Sequence, residues 1–333
     1  MSKERGSSLD LEGTAVPSIV IGLNAVIVAV TRERPRILTI SEAGGGVSGQ
    51  EILPHGPLDP NADRTLELSL RGWVRERTGI ELGYVEQLYT FGDRDRASGP
   101  GGSRPRLLSV AYLALVREVE LGGSSRARWR DWYAFFPWED WRAGQPAVIR
   151  ETVEPALRAW IAAGSSKAVR GERAERAGIA FGLAGSEWDG ERVLERYELL
   201  YQIGLVSESW RARTAPARVR EGPDLGAPMG MDHRRILATA MGRIRGKLRY
   251  RPVVFELLPS AFTLTQLQRE VEALAGVRLH KQNFRRLAER GGLVEGTGKF
   301  DARTGGRPAE LFRFRREVLR ERRAPGVGLP AAR

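Results

Sequence analysis

Near its carboxyl end the chain carries two short helical patterns separated by a glycine, and this arrangement restricts the fold more than any other feature. Residues 264–275 repeat apolar side chains at spacings of three and four, as in a helix with one buried face: Leu264, Leu267, Val271 and Leu274. Thr265 and Gln268 have the spacing of a capping box, which predicts that the helix starts here. Gly276 predicts its end, because glycine readily adopts the left-handed backbone of a helix terminus.

A second helix is predicted from near His280 to the glycine pair 291–292. Phe284 and Leu287 are expected to face inward. Residues 293–300 and 311–314 then alternate like two strands, and the loop between them is rich in glycine and arginine. Two helices with a tight turn, followed by a hairpin, predict a winged helix-turn-helix over residues 231–323.

The second helix carries the side chains that a DNA-reading helix needs. Asparagine and glutamine can form two hydrogen bonds to adenine, and arginine can form two to guanine. Arg303 and Arg307 in the hairpin loop are expected to reach phosphate or the minor groove. We therefore predict binding to double-stranded DNA, whereas a winged helix used for protein contacts is the alternative. The candidate residues on the helix are His280, Lys281, Gln282, Asn283, Arg285 and Arg286.

The net charge of +12 is confined to this same part of the chain. Residues 231–323 hold 22 lysines and arginines against 10 aspartates and glutamates, and the rest of the chain holds 31 of each. An acidic polymer is therefore the expected partner of this part alone. A solvated basic surface, or RNA as the polymer, remains open.

Other features of the composition restrict the chemistry. The chain has no cysteine and three histidines, which excludes disulfides and thiolate metal sites and disfavours a histidine-rich one. No apolar stretch reaches the ~20 residues of a membrane span. We expect a cytoplasmic protein with no metal and no membrane partner.

The first part of the chain predicts an α+β arrangement. Strand-like runs at 18–30, 36–40, 84–91 and 106–116 surround one helix at 62–78, which Gly79 ends. Amphipathic helices are predicted at 150–164 and 189–206, and residues 211–230 resemble a linker. The predicted organisation is a flexible N-terminus (1–16), a sensing domain (17–145), a helical insertion with linker (146–230), the winged helix (231–323) and a flexible tail (324–333).

The segment 53–80 resembles the signature of Nudix hydrolases, which hold Mg²⁺ through carboxylates on one helix face. Gly72 and Trp73 replace the arginine and a glutamate of that signature, and Arg77 replaces its last glutamate. Glu76 alone remains, between two arginines, which is a poor site for a divalent cation. We therefore predict ligand binding without catalysis, and an active pyrophosphatase with a nucleic-acid-binding tail is the alternative.

Segments 86–96, 107–116, 231–250, 257–268 and 305–314 resemble the Nudix-related transcriptional regulators of NAD metabolism. The resemblance implies a Nudix-like α/β/α sandwich, a helical insertion and a C-terminal winged helix-turn-helix. It also implies a homodimeric repressor of NAD biosynthesis genes that binds a palindromic operator, needs no cofactor and senses ADP-ribose. The roughly 90 residues between Trp141 and Met231 resemble the longer alphaproteobacterial type, so NAD and ATP remain possible effectors.

The ligand candidates follow from this resemblance: Arg75, Glu76, Arg77, Phe91, Asp93 and Arg94. A solvated turn is the alternative for Asp93 and Arg94. Seven aromatic residues at 129–141 are expected to form core or a subunit interface rather than a site that stacks an adenine ring. His233 is expected to pack at the start of a helix.

Overall fold

The computed structural model describes residues 19–41, 50–93, 106–121, 126–211, 225–302, 308–323 and 325–327. The predicted flexible N-terminus and most of the predicted C-terminal tail lie outside these residues. So do Arg94, Arg303 and Arg307, and most of the predicted linker.

A seven-stranded mixed sheet forms the centre of the N-terminal part. Strand β1 (Ile19–Thr31) is almost wholly apolar from residue 25 to residue 30 and is buried there, as suits a strand covered on both faces. It pairs in parallel with β6 (Arg106–Leu115) and antiparallel with β2 (Arg34–Ser41) and β4 (His55–Pro57). The main order is β3-β2-β1-β6-β5, with β3 at Glu51–Ile52, β5 at Tyr84–Phe91 and β7 (Ala127–Asp131) paired to β2.

Helix α1 (Leu66–Thr78) covers one face of this sheet. Its Leu70 and Val74 are buried, and the Thr65 hydroxyl accepts a hydrogen bond from the Leu68 amide at its start. Gly79 ends the helix at φ 72°, as the sequence predicted. Helices from the remainder of the chain cover the opposite face, which completes three layers.

The insertion contains more helix than the sequence predicted. A π-helical turn at Ile149–Val153 continues into α2 (Glu154–Ala162), and α4 (Val193–Gln202) and α5 (Glu208–Arg211) follow later. Between them lies α3 (Lys167–Phe181), which was not predicted because its sequence is rich in arginine and glutamate. Its ends do carry signals, since Ser166 caps its start and Gly182 has φ 63°.

The C-terminal part has the predicted order of elements. Helix α6 (His233–Tyr250) leads through a 3-10 turn (Val253–Glu256) to α7 (Leu264–Ala275) and α8 (Lys281–Arg290). Strands β8 (Val294–Asp301) and β9 (Ala309–Phe314) then pair antiparallel, and α9 (Val318–Glu321) follows.

Two local predictions about this unit were wrong. The capping box of α7 uses Thr263 and Gln266, whereas Gln268 donates to the Leu279 carbonyl and to Glu272. On α8, Leu287 remains 37% exposed, and Ala288 is the residue buried beside Phe284.

One hydrophobic core joins the second face of the sheet, the insertion helices and helices α6 to α8. It includes most of the aromatic cluster at 129–141, so the interpretation of that cluster as core is confirmed. Leu225 and Met229, at the end of the predicted linker, are also buried in it. None of the helices in the described ranges is long and apolar enough to span a bilayer.

Candidate nucleic-acid interface

Helix α8 presents a polar face to solvent. Phe284 and Ala288 point into the core, which leaves the other side of the helix exposed. The side chains of Lys281, Gln282, Asn283 and Arg286 lie on that side. Within the described ranges, no carboxylate forms an ion pair with a cation of this helix. The exposed cations of α8 are therefore available to phosphate or bases.

The two adjacent arginines of α8 differ in their surroundings. Arg286 is exposed, and its Nη2 lies 3.4 Å from Asn283 Oδ1 on the same helix. Arg285 is half-buried, and its Nη2 donates to the Thr265 hydroxyl at 3.3 Å. Arg285 thus ties α8 to the start of α7. His280 is exposed just before α8, and its side chain makes no capping hydrogen bond.

A carboxylate that sequence reasoning missed fixes the turn between α7 and α8. Glu272 is buried and accepts hydrogen bonds from the Leu279 amide at 2.9 Å, from Gln268 and from Arg278. Gly276 takes φ 73° in this turn, where a Cβ atom would lie 2.5 Å from the Glu139 carbonyl oxygen. The sequence signalled this turn through Gly276, which follows directly after the predicted helix, and gave no sign of the role of Glu272.

The hairpin of β8 and β9 lies beside this pair of helices. The backbones of Phe262 and Phe312 exchange two hydrogen bonds of 2.9 and 2.8 Å, which join the hairpin to the start of α7. Lys299 and Phe300 are exposed towards its tip. The arrangement is that of a wing placed next to a recognition helix.

The preceding helix, α6, is equally basic but has every cation in an ion pair. The six pairs involve five carboxylates, all between residues 86 and 208 of the preceding chain. The pairs are Arg234–Glu208, Arg235–Glu198, Arg243–Glu86, Arg245–Glu139, Lys247–Glu86 and Arg249–Glu191. Helix α6 therefore uses its charge to attach the winged helix to the rest of the molecule.

A cleft of about 830 Å³ opens where α1 ends. Of the predicted ligand residues, Glu76 and Arg77 line it. Arg117, Glu120 and Glu256 line it too, and sequence reasoning missed them because they are far apart in the chain. Glu256 belongs to the 3-10 turn after α6, so both halves of the protein contribute to this cleft.

The other predicted ligand residues do not join this cleft. Phe91 is buried opposite Ser109, six residues along β6 from Leu115 in the cleft wall, a separation of ~20 Å. Asp93 is exposed and lies 3.5 Å from Arg235 of α6. Arg75 is exposed on α1 but is absent from the cleft lining.

The side chains on α1 do not fit a magnesium ion. Glu76 is exposed between Arg75 and Arg77, and Glu67 is paired with Arg71 at 2.8 Å. Among the residues that the structure describes, no group of three histidines or carboxylates is placed to hold a metal. Mg²⁺ requires several oxygen ligands in octahedral geometry, and the described side chains of α1 do not supply them.

Comparisons with known proteins agree with this geometry. Residues 254–314 match the family described as the NrtR DNA-binding winged helix domain. "ADPR responsive transcriptional repressor NtrR" of Acinetobacter baylyi is 40% identical over 86 residues, which are 26% of this chain and 34% of that protein. In that match the chain spans about a third of the relative's length.

Two solved structures share the overall architecture. Shewanella oneidensis NrtR complexed with a 27mer DNA has a TM-score of 0.54 and 19% identity, over 90% of this chain and 94% of that chain. A MutT/nudix family protein from Enterococcus faecalis has a TM-score of 0.52 and 16% identity, over 92% of this chain and 89% of that one. The fold class predicted from the sequence, a Nudix-like domain followed by a winged helix-turn-helix, is confirmed, and the match of residues 254–314 agrees with the resemblance seen in the C-terminal part of the sequence.

Proposed function

We propose that this chain is a DNA-binding transcriptional repressor that responds to ADP-ribose. The single observation that carries the proposal is the exposed face of α8, where Lys281, Gln282, Asn283 and Arg286 project without acidic partners among the described residues. A helix with this chemistry, backed by an apolar face and flanked by a wing, has the geometry of a helix in the major groove.

The similar proteins support the same reading. The relative from Acinetobacter baylyi is named as an ADPR-responsive transcriptional repressor, and the Shewanella oneidensis protein with the similar fold was solved on DNA. In this chain Gln282 and Asn283 are suited to adenine, and Arg286 to guanine. Arg285 is bound to Thr265, so we assign it a supporting role behind the contact surface.

The cleft at the end of α1 is the proposed effector site. Arg77 and Arg117 supply cations for a pyrophosphate, carboxylates such as Glu120 accept hydrogen bonds from ribose hydroxyls, and Leu115 and Val116 give an apolar wall. ADP-ribose is the first candidate, and NAD and ATP share its adenosine and phosphate groups. The poor metal site on α1 supports binding without turnover as part of the same proposal.

The proposal also covers the target genes, the operator, the oligomeric state and the location of the protein. The target genes are those of NAD biosynthesis, the operator is palindromic, and a homodimer in the cytoplasm binds it. A palindromic operator requires a twofold-symmetric protein, because each half-site takes one recognition helix. The boundaries of the sensing domain, insertion and winged helix stay as proposed from the sequence.

The test is a titration of the full chain against duplex DNA selected from a random pool, with and without ADP-ribose. We expect sequence-specific binding that ADP-ribose changes at least tenfold, and a smaller effect of NAD or ATP. Structured RNA should compete poorly. Binding that is indifferent to sequence, or stronger to RNA, would contradict the proposal.

The retained carboxylate in the cleft, Glu76, favours one other function, hydrolysis of ADP-ribose. An assay with Mg²⁺ and ADP-ribose separates the two, with Glu76→Gln as the control. We expect no turnover above that of the Gln variant. Robust hydrolysis lost on this substitution would establish an enzyme instead.

A further inference from the structure

His233 stands at the first position of α6 and is fully buried. Its Nδ1 accepts a hydrogen bond of 2.9 Å from the backbone amide of Leu53, a residue just after β3 in the sensing domain. A neutral ring whose Nδ1 accepts a bond carries its proton on Nε2. The histidine therefore has one acceptor and one donor, both directed at the sensing domain.

The Nε2 atom of His233, which carries the proton, faces the side chain of Asn24 on β1. The Asn24 carboxamide is buried and lies 2.9 Å from Nε2. When the Asn24 Nδ2 atom faces the ring, the Asn24 Oδ1 atom has no partner among the described residues. Turning the carboxamide by 180° exchanges the two atoms, and Oδ1 then accepts the hydrogen bond that Nε2 donates. His233 is thus bonded to two strands of the sensing domain at once.

Segment 51–57, to which His233 is hydrogen-bonded at Leu53, is also bonded to a residue of the cleft. Arg77, which lines the cleft, donates from Nη1 to the His55 carbonyl at 3.2 Å. The His55 ring packs edge-on against His233 with 5.6 Å between centroids. The Gly230 amide donates to the Glu51 carbonyl at 2.8 Å, so the residues before α6 hold the same segment.

We infer that His233 is a positioning residue that couples the cleft to the DNA-binding helices through segment 51–57. This inference rests on the proposed function. A pyrophosphate that engages Arg77 competes with the His55 carbonyl for the guanidinium and frees the segment to shift. Because His233 bonds the segment at the start of α6, the shift reaches α6, which shares a core with α7 and α8.

The experiment compares operator affinity with and without saturating ADP-ribose, using the full chain and three variants. His233→Leu keeps an apolar volume but loses both hydrogen bonds. His233→Asn places an oxygen near the position of Nδ1 and keeps the bond from Leu53. Thr239→Val is the matched control, because Thr239 lies on α6 and, among the described residues, its hydroxyl donates to the Arg235 carbonyl of its own helix.

We expect the ratio of the two affinities, which should be at least tenfold in the wild-type protein, to come close to unity in His233→Leu, with the affinity for ADP-ribose retained. His233→Asn should recover most of the ratio, and Thr239→Val should match the wild-type protein. A wild-type ratio in folded His233→Leu would overturn the inference. Absence of any ADP-ribose response in the wild-type protein would contradict the proposed function instead.

Hydrogen exchange in the wild-type protein tests the same inference without any substitution. Hydrogen exchange at the Leu53 amide should be slow in the free protein and at least tenfold faster with ADP-ribose bound. Unchanged exchange in a saturated complex would overturn the inference even if His233→Leu does not fold. Nitrogen NMR of His233 should also show the proton on Nε2, and a proton on Nδ1 would contradict the geometry.

Discussion

Helices α6 and α8 are both rich in arginine and lysine, yet they use their charge in opposite ways. The six cations of α6 are all paired with carboxylates between residues 86 and 208. In the part of the chain that the structure describes, α8 has no ion pair of its own. The comparison shows that a basic helix can serve attachment as well as recognition.

This difference changes the meaning of the net charge. The excess of +12 in residues 231–323 overstates the positive charge that this part offers to the proposed DNA partner, since carboxylates from earlier in the chain neutralise the cations of α6. The net charge of a sequence segment is therefore not the same as the charge that the folded segment exposes on its surface. What marks α8 as the proposed recognition helix is the exposure of its cations, which have no ion-pair partner among the described residues.

The largest effect is expected at Glu139, which accepts hydrogen bonds from Arg196 at 2.6 Å and Arg245 at 2.5 Å while fully buried. Burial acts to raise the pKa of Glu139, but the two arginines outweigh it and hold the pKa below its usual range. Glu139→Gln leaves two buried guanidiniums without their anion. It should lower the free energy of unfolding by about 3–5 kcal/mol, measured by urea or thermal denaturation.

The matched control is Glu191→Gln, which removes the exposed pair with Arg249. That change should alter the free energy of unfolding by less than ~1 kcal/mol. Equal effects of the two substitutions would show that the buried pairs of α6 do not hold the winged helix in place.

The next effect concerns Glu270 of α7. Burial, with a contribution from Glu33, raises the pKa of Glu270 to about 8. Glu33 is paired with Arg269, and the buried Oε2 of Glu270 has no hydrogen-bond partner in the described part of the chain. The folded protein holds this proton up to pH 8, whereas the unfolded chain releases it near the ordinary glutamate value of about 4.3. Stability is therefore lost as the pH rises between these values.

Glu270→Gln should stabilise the protein at pH 8 by about 3 kcal/mol relative to its effect at pH 5. Denaturation of both proteins at the two pH values measures this difference. Parallel stability profiles from pH 5 to 8 would show that Glu270 is ionised in the fold.

A smaller effect is expected on operator affinity, where Arg286 and Arg285 can be told apart. Arg286→Ala should weaken operator binding by about 1–3 kcal/mol, because its exposed guanidinium is free to contact a base. Arg285→Ala removes the hydrogen bond to Thr265 and should lower stability as well as affinity. Fluorescence anisotropy with a labelled duplex, alongside denaturation, gives both quantities. The assignment fails if Arg286→Ala binds like the wild-type protein.

The smallest effect is on the salt dependence of binding. Lys281→Gln should reduce the slope of log affinity against log salt by about 0.9, the value for one lost phosphate contact on duplex DNA. Arg249→Gln should leave the slope unchanged, since Arg249 is paired with Glu191. A reduced slope for Arg249→Gln would place α6 on the DNA.

Helices and strands were predictable from the sequence where a local residue pattern determines where they begin or end. Gly79 and Gly276 marked two helix ends because the left-handed backbone favours glycine. The range of α7 was predicted correctly, but its capping box was assigned to Thr265 and Gln268 instead of Thr263 and Gln266, because the sequence repeats the same spacing two residues apart. Helix α3 was missed because its apolar face is narrow and its polar residues dominate.

The site was less predictable, for a physical reason. Glu76 and Arg77 lie in the cleft, but Phe91 and Asp93 were grouped with them by resemblance and lie elsewhere. Arg117 and Glu256 are brought to the cleft by tertiary packing, which no local pattern encodes. The pairing of α6 with earlier carboxylates is equally a product of the assembled fold.

The most direct test of the account is the affinity of the full chain for its selected duplex as ADP-ribose is added, measured for the wild-type protein and Arg286→Ala. The account predicts specific binding by the wild-type protein that ADP-ribose changes at least tenfold, and specific binding by Arg286→Ala that is weaker both with and without the ligand. Binding that ADP-ribose leaves unchanged, and that does not depend on Arg286, would contradict it.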